Sequence, residues 1–312
     1  MENFILTVNA VLPLFLIMAL GYIIHRTPLM DKHTHGVVNK LIFKMFLPVL
    51  LFKNIETSNL TALSGSWIFI FAIVSELALF GLLFIIVPII NKEPRQRGVL
   101  IQAIGRANYA LFGLPLIELM FPGQDTAVAS MLVAISVPIF NVMSVIALEV
   151  NRGGHIKPLK ILKSIVTNPL IIGCALGFIW LLTGLTMPQF LQTAINDVAK
   201  VATPLSLFIL GGAFEFSRIK GNVTPLIIGT AGKLVIAPLI GITAAVLCGF
   251  RGIELGAMSV AFMAPCAVSS YPMAEQMGGD GELAGQLVVF TTALSVFTIF
   301  IFMFTMKNLG LI

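Results

Sequence analysis

Two stretches of this 312-residue chain place polar side chains and prolines inside otherwise apolar sequence. The first is Arg106-Ala107-Asn108-Tyr109-Ala110-Leu111-Phe112-Gly113-Leu114-Pro115, and the second is Ala264-Pro265-Cys266-Ala267-Val268-Ser269-Ser270-Tyr271-Pro272. Proline removes a backbone donor and clashes with the preceding turn, so a helix is expected to break at each stretch. The half-helix that follows a break presents unsatisfied N–H groups and the positive end of its dipole, a setting that suits a carboxylate. Asn108 adds an amide donor without charge, while Tyr109, Ser269, Ser270 and Tyr271 add hydroxyls. Arg106 either attracts the same anion or snorkels to the cytoplasmic membrane surface. The simpler reading of the same residues is a pair of proline kinks that shape helix packing.

A second set consists of charges placed within apolar runs, where each costs about 2.5–3.5 kcal/mol on insertion scales. Glu76 and Lys233, each near the middle of such a run, are expected to form a structural or gating pair, because pairing removes both penalties. The alternative is that Lys233 attracts an organic anion. Glu118 and Glu275 are candidates to carry a coupling proton. Lys40 and Lys44 read as interfacial anchors, and Asp197 and Lys200, three apart, as a local helix pair. His25, His33 and His35 cluster around the first connector and are not expected to bind a metal, and Cys174, Cys248 and Cys266, at no metal-ligand or redox spacing, read as packing residues. Neither a metal site nor a cofactor is expected.

The elements that must position these groups follow from composition. Hydrophobic residues make up 58% of the chain and charged residues 11%, with a mean hydropathy of +1.01, far from a soluble domain with its charged fraction near a quarter. A span needs roughly 20 apolar residues to cross about 30 Å of hydrocarbon. Apolar runs near 4–25, 35–55, 65–90, 98–121, 125–150, 167–184, 190–216, 222–248, 254–277 and 282–306 predict ten spans with short connectors. Nothing is left for a nucleic-acid-binding module, a disulfide scaffold or a large cytosolic enzyme. The chain also lacks G-x-S-x-G, H-E-x-x-H and P-loop motifs. Connectors one, three, five and seven carry eleven basic residues, Arg152 and Arg218 among them, against Lys53, Arg251 and Lys307 on the opposite side. The positive-inside rule thus places both termini outside the cytoplasm. The first apolar run is too long for a signal-peptide core and reads as a retained span. Residues Ile156 to Val166 alternate lysines with aliphatics and read as a short helix on the cytoplasmic membrane surface, or as a long start to the sixth span.

Five spans on each side of that joint run in opposite directions. Leu114-Pro115-Leu116-Ile117-Glu118-Leu119-Met120 and Tyr271-Pro272-Met273-Ala274-Glu275-Gln276-Met277 share Pro, Glu and Met at an offset that also sets Asn108 opposite Pro265. The chain therefore reads as one all-α integral membrane domain. An inverted repeat over 1–150, a cytoplasmic linker over 151–166 and a second repeat over 167–312 make up that domain. Breaks within spans are tolerated where they line a protein cavity, and in transporters built from inverted repeats two of them cross near the midplane.

At these residues the chain resembles the auxin efflux carrier family, in its bacterial permease branch related to the plant PIN-FORMED carriers. The Asn108-to-Leu116 segment resembles that family's fourth-helix signature, and Pro265 to Ala274 its ninth-helix crossover, with Ser270 where plant members have a second proline. Lys233-Leu234-Val235-Ile236-Ala237-Pro238 is similar to the eighth-helix lysine-to-proline segment of bacterial members. The resemblance implies ten helices in two inverted repeats with helices 4 and 9 broken and crossed, the fold of bile acid symporters and sodium–proton antiporters. It further implies a homodimer through helices 2 and 7 and an elevator motion against helices 1, 2, 6 and 7. The short linker resembles permeases linked to malate, malonate and similar anions rather than the plant carriers. The expected function is secondary transport of small carboxylates in the plasma membrane. The expected substrate site comprises Asn108, Tyr109, Gly113, Pro115, Pro265, Ser269, Ser270 and Tyr271. Coupling or gating would fall to Glu76, Glu118, Lys233 and Glu275. A sodium-coupled symporter and a non-transporting sensor on the same fold are the rival readings.

Overall fold

The computed structural model describes residues 2–58, 67–152 and 158–312. Over these residues the chain is helical, with no strand. Its helices are α1 (Glu2–Ile24), α2 (Lys32–Glu56), α3 (Ile68–Ile90), α4 (Pro94–Gly105), α5 (Tyr109–Met120), α6 (Ala127–Val150) and α7 (Pro158–Val166). They continue with α8 (Pro169–Thr183), α9 (Gln189–Ala213), α10 (Val223–Leu247), α11 (Gly252–Met263), α12 (Ser270–Met277) and α13 (Gly281–Asn308). Among them α2, α3, α6, α9, α10 and α13 are long and apolar enough to cross a membrane. The shorter apolar helices α5, α8 and α11 accompany them, together with the apolar part of α1. Helix is what the composition demands, because in hydrocarbon every backbone donor and acceptor must be satisfied within the segment.

The α7 segment is a separate helix from residue 158 onward. It ends before Thr167, and Asn168 caps α8 by accepting the Leu170 N–H at 2.9 Å. Ile156 and Lys157 of the expected surface helix lie outside the described residues, as do 59–66, which include the expected start of the third span.

Helix α1 lies along α9, α2 lies along α8, and α9 also packs on α2. Glycines let these backbones meet. A Cβ at Gly21 would strike the Phe208 carbonyl, and one at Gly211 the Met18 carbonyl; Gly173 and Gly177 make the same approach to Pro48 and Phe52. Small residues four apart at a close crossing are the usual device for helix association in lipid, where no hydrophobic force drives helix against helix. The other helices, α3 to α6 and α10 to α13, carry both breaks. Within that group α4 packs on α6, α5 on α11, and α12 on α13.

Two long helices contain a π turn, at Ile42–Phe46 in α2 and Gly232–Ile236 in α10. Pro48 and Pro238 follow closely. Each proline withholds a donor from the ordinary i→i−4 ladder, and the widened turn gives the Leu47 and Ala237 N–H groups partners five residues back.

Of the cysteines, Cys174 and Cys266 are buried, but Cys248 is exposed at the C-terminal cap of α10 and does not pack. The Asp197–Lys200 pair forms at 3.2 Å on an exposed face of α9.

Candidate functional site

The fourth apolar run is interrupted between Gly105 and Tyr109, and the ninth between Met263 and Ser270. The two interruptions touch. Ala107 and Cys266 form an antiparallel bridge, and the Asn108 N–H donates to the Pro265 carbonyl at 2.8 Å. Two groups that lipid could not satisfy thus satisfy one another. Asn108 also accepts through its own carbonyl from the Leu111 and Phe112 N–H groups, which starts α5. Thr291 on α13 props the second break by accepting the Cys266 N–H at 3.1 Å, and the Gln102 amide on α4 donates to the Ser270 carbonyl at 3.1 Å.

The prolines do not all act where their spacing suggests. Pro265 lies in the second break, but the first break, Arg106 to Asn108, contains no proline; Pro115 sits inside α5 and is exposed. Pro272 falls in the first turn of α12, where its missing N–H costs nothing. The first break owes its shape to the β-type pairing with the second, a tertiary effect.

Beside the junction lies an open cavity of about 740 Å³ including its mouth. One end is polar, formed by Arg106, Asn108 and Ser269. Most of the remaining wall is apolar, with Leu47, Leu51, Val137, Phe140 and Leu170. The side-chain nitrogen of Asn108 is buried there without an acceptor. Arg106 is 3% exposed, so it does not snorkel. Its Nη2 donates to Ser269 Oγ at 2.6 Å, across the two breaks, and its Nη1 meets the Met273 sulfur at 3.1 Å. Among the described residues it has no carboxylate within salt-bridge distance.

The structure distributes the expected site residues over several places. Asn108, Tyr109 and Ser269 line the cavity. Tyr109 spends its hydroxyl on the Ala257 carbonyl of α11 at 2.8 Å, so its role is to brace α5. Gly113 makes room for that ring, since a Cβ there would lie 2.9 Å from it. Pro265 contributes its carbonyl. Ser270 is buried behind the junction. Tyr271 faces a second cavity together with Glu275, and its hydroxyl lies 3.0 Å from His35 Nε2. Glu118 is exposed on α5, away from both breaks. A Tyr109→Phe protein should lose about 1 kcal/mol of stability, the net worth of one buried hydrogen bond, with unchanged substrate affinity. Thermal unfolding beside a binding titration measures both.

Glu76 and Lys233 are 1% and 0% exposed. They do not form the expected close ion pair, because they do not come within salt-bridge distance of one another; Ser136 stands beside the Glu76 carboxyl group. They lie within electrostatic reach of one another, and Lys233 is also within reach of Cys266 at the second break. The π turn at Gly232–Ile236 holds Lys233 at that depth while the helix continues past it. Arg106 is the residue whose role spacing alone leaves open. A cation immediately before a break, with Glu118 the other charge of its run, is the available signal.

Comparison with known proteins identifies a transporter family. The family model described as membrane transport protein matches residues 6–303. The chain is 25% identical over 299 residues to a protein of Rhizobium meliloti (strain 1021) named "Putative malonate transporter", covering 93% of this chain and 92% of that one. It is 20% identical over 300 residues to a protein of Methanothermobacter thermautotrophicus named "Uncharacterized transporter", with 92% and 94% covered. The protein is a multi-pass membrane protein of a transporter family rather than an enzyme family. The chain belongs to the membrane transport protein family, the auxin efflux carriers that its two interrupted helices resemble.

Proposed function

We propose that this protein is a secondary carrier of small organic anions, with the substrate carboxylate held where the two helix breaks meet. The observation that carries this reading is the unpartnered Asn108 amide nitrogen, buried in a cavity whose polar end is built by both breaks. The relative named for malonate supports a small carboxylate as cargo. Alternating access then consists of an elevator movement of α3 to α6 and α10 to α13 against the α1, α2, α8 and α9 group. That division follows how the helices pack. The arrangement is one transporter domain made of two inverted repeats, dimeric through the second and seventh spans, α2 and α9. It lies in the plasma membrane with both termini outside, as the basic connectors predict. A proton carried on one of the buried or partly buried carboxylates is the proposed coupling, and no cofactor takes part.

Purified protein in liposomes should take up labelled propionate or malonate, faster with an imposed pH gradient. Asn108→Ala should lower uptake about 10-fold or more, the cost of one hydrogen bond to a charged group, with no loss of folded protein. Uptake that follows a sodium gradient instead would establish the symporter reading. Thermal stabilisation by these acids with no flux would establish a sensor.

A further inference from the structure

We infer that Arg106 is the charge-selecting residue of this cavity, and that the cavity takes acids bearing a single negative charge in preference to dianions. The inference rests on the carrier reading above and specifies its substrate.

A guanidinium removed from water needs a counter-charge, since an isolated buried ion costs far more than its hydrogen bonds return. Arg106 is almost wholly buried, yet its partners are a hydroxyl and a thioether, and no carboxylate of the described residues reaches it. It nonetheless lines the cavity. The groups around it are donors. The Asn108 amide nitrogen lacks an acceptor. Ser269 accepts from Arg106, which leaves the serine proton available to a ligand. Tyr109 and Ala110, whose N–H groups open α5 and have no intrahelical acceptor by position, line the same space. A constellation of donors around one cation matches an acceptor-only anion, and a planar fork matches a carboxylate.

The rest of the cavity contains no second cation among the described residues. Beyond the polar end the wall is leucine, valine and phenylalanine, relieved by the uncharged Asn54, Thr203 and Ser206. Lys233 lies outside the wall. Lys53 and Lys200 stand in an adjoining groove that meets the cavity at Leu50, Leu111 and Thr203, and Lys200 is already paired with Asp197. A second carboxylate would therefore face apolar surface or uncharged donors, whereas an alkyl or hydroxyalkyl body fits.

The test uses the full-length protein, titrated at neutral pH with propionate, butyrate, malonate and succinate by thermal stabilisation and then by uptake competition in liposomes. Monocarboxylates should bind at least about 10-fold more tightly than the dicarboxylates. Malonate should gain affinity as pH falls and its singly charged form accumulates. Arg106→Gln should weaken propionate about 100-fold, in line with losing one partner of a buried charge pair, and Arg106→Lys about 10-fold, because the charge stays while the fork is lost. Should Arg106→Gln fail to fold, the lysine variant and the wild-type acid series decide. Dicarboxylates binding as tightly as monocarboxylates at neutral pH, or propionate affinity unchanged in the Arg106 variants, overturns the inference while leaving the carrier reading intact. Absence of binding and flux with every acid removes the carrier reading, and this inference with it.

Discussion

Gly211→Val is expected to eliminate most folded protein, whereas Gly81→Ala should leave stability unchanged or raise it. The two glycines differ in what surrounds them. At Gly211 a Cβ would collide with the Met18 carbonyl, and the reciprocal contact joins Gly21 to Phe208, so α1 and α9 touch backbone to backbone at both positions. Backbone cannot rotate away as a side chain can. The cost therefore lies at or beyond the upper end of the ~1–3 kcal/mol typical of overpacking. At Gly81, exposed on α3, nothing lies within 4 Å of the place an added methyl would occupy. Alanine there gains roughly 0.5–1 kcal/mol of helix propensity. Yield of monodisperse protein in detergent and its unfolding temperature distinguish the two. Equal behaviour of Gly211→Val and wild type would mean that α1 and α9 do not approach at this distance.

Lys233→Met should destabilise the protein strongly, and adding Glu76→Gln should restore much of the loss. Both groups are buried and lie within electrostatic reach of one another across the space between α3 and α10, with Ser136 beside Glu76 and Cys266 beside Lys233. Removing only the cation leaves a carboxylate uncompensated, which costs up to about 3–5 kcal/mol; removing both leaves two neutral side chains of similar size. The double-mutant cycle isolates the coupling, provided neither single variant creates a new contact. Additive losses would show that the two charges act independently. In that case Lys233 serves the second break, where Cys266 lies within its reach, rather than balancing Glu76. Uptake by the double variant then separates stability from coupling. Restored folding without restored pH-driven uptake shows that the pair takes part in coupling beyond its effect on stability.

The breaks are legible in residues 106–115 and 264–272 because glycine, proline and polar side chains are conspicuous in apolar sequence. Their causes are less legible. Pro115 has the spacing of an agent for the first break and instead sits inside α5, exposed, while the interruption lies at Arg106 to Asn108. Tyr109 and Tyr271 look alike in sequence as hydroxyl donors beside a break. The first is tied to Ala257 and the second turns toward His35 and another cavity. Side-chain direction depends on how each half-helix is rotated against its neighbours, and spacing along the chain does not encode that rotation.

Membrane residence, helical secondary structure, the polar interruptions and the basic connectors all follow from composition and run length, because a bilayer punishes every unpaired backbone group and every uncovered charge. Which charges meet was decided by packing in three dimensions. Arg106 and Ser269 stand 163 residues apart along the chain and 2.6 Å apart in space. Glu76 and Lys233 share a buried region without touching. The first break lies against the second, and each supplies backbone partners to the other. Such contacts depend on distances between helices, set by glycines and side-chain volumes on faces that no single helix reveals alone.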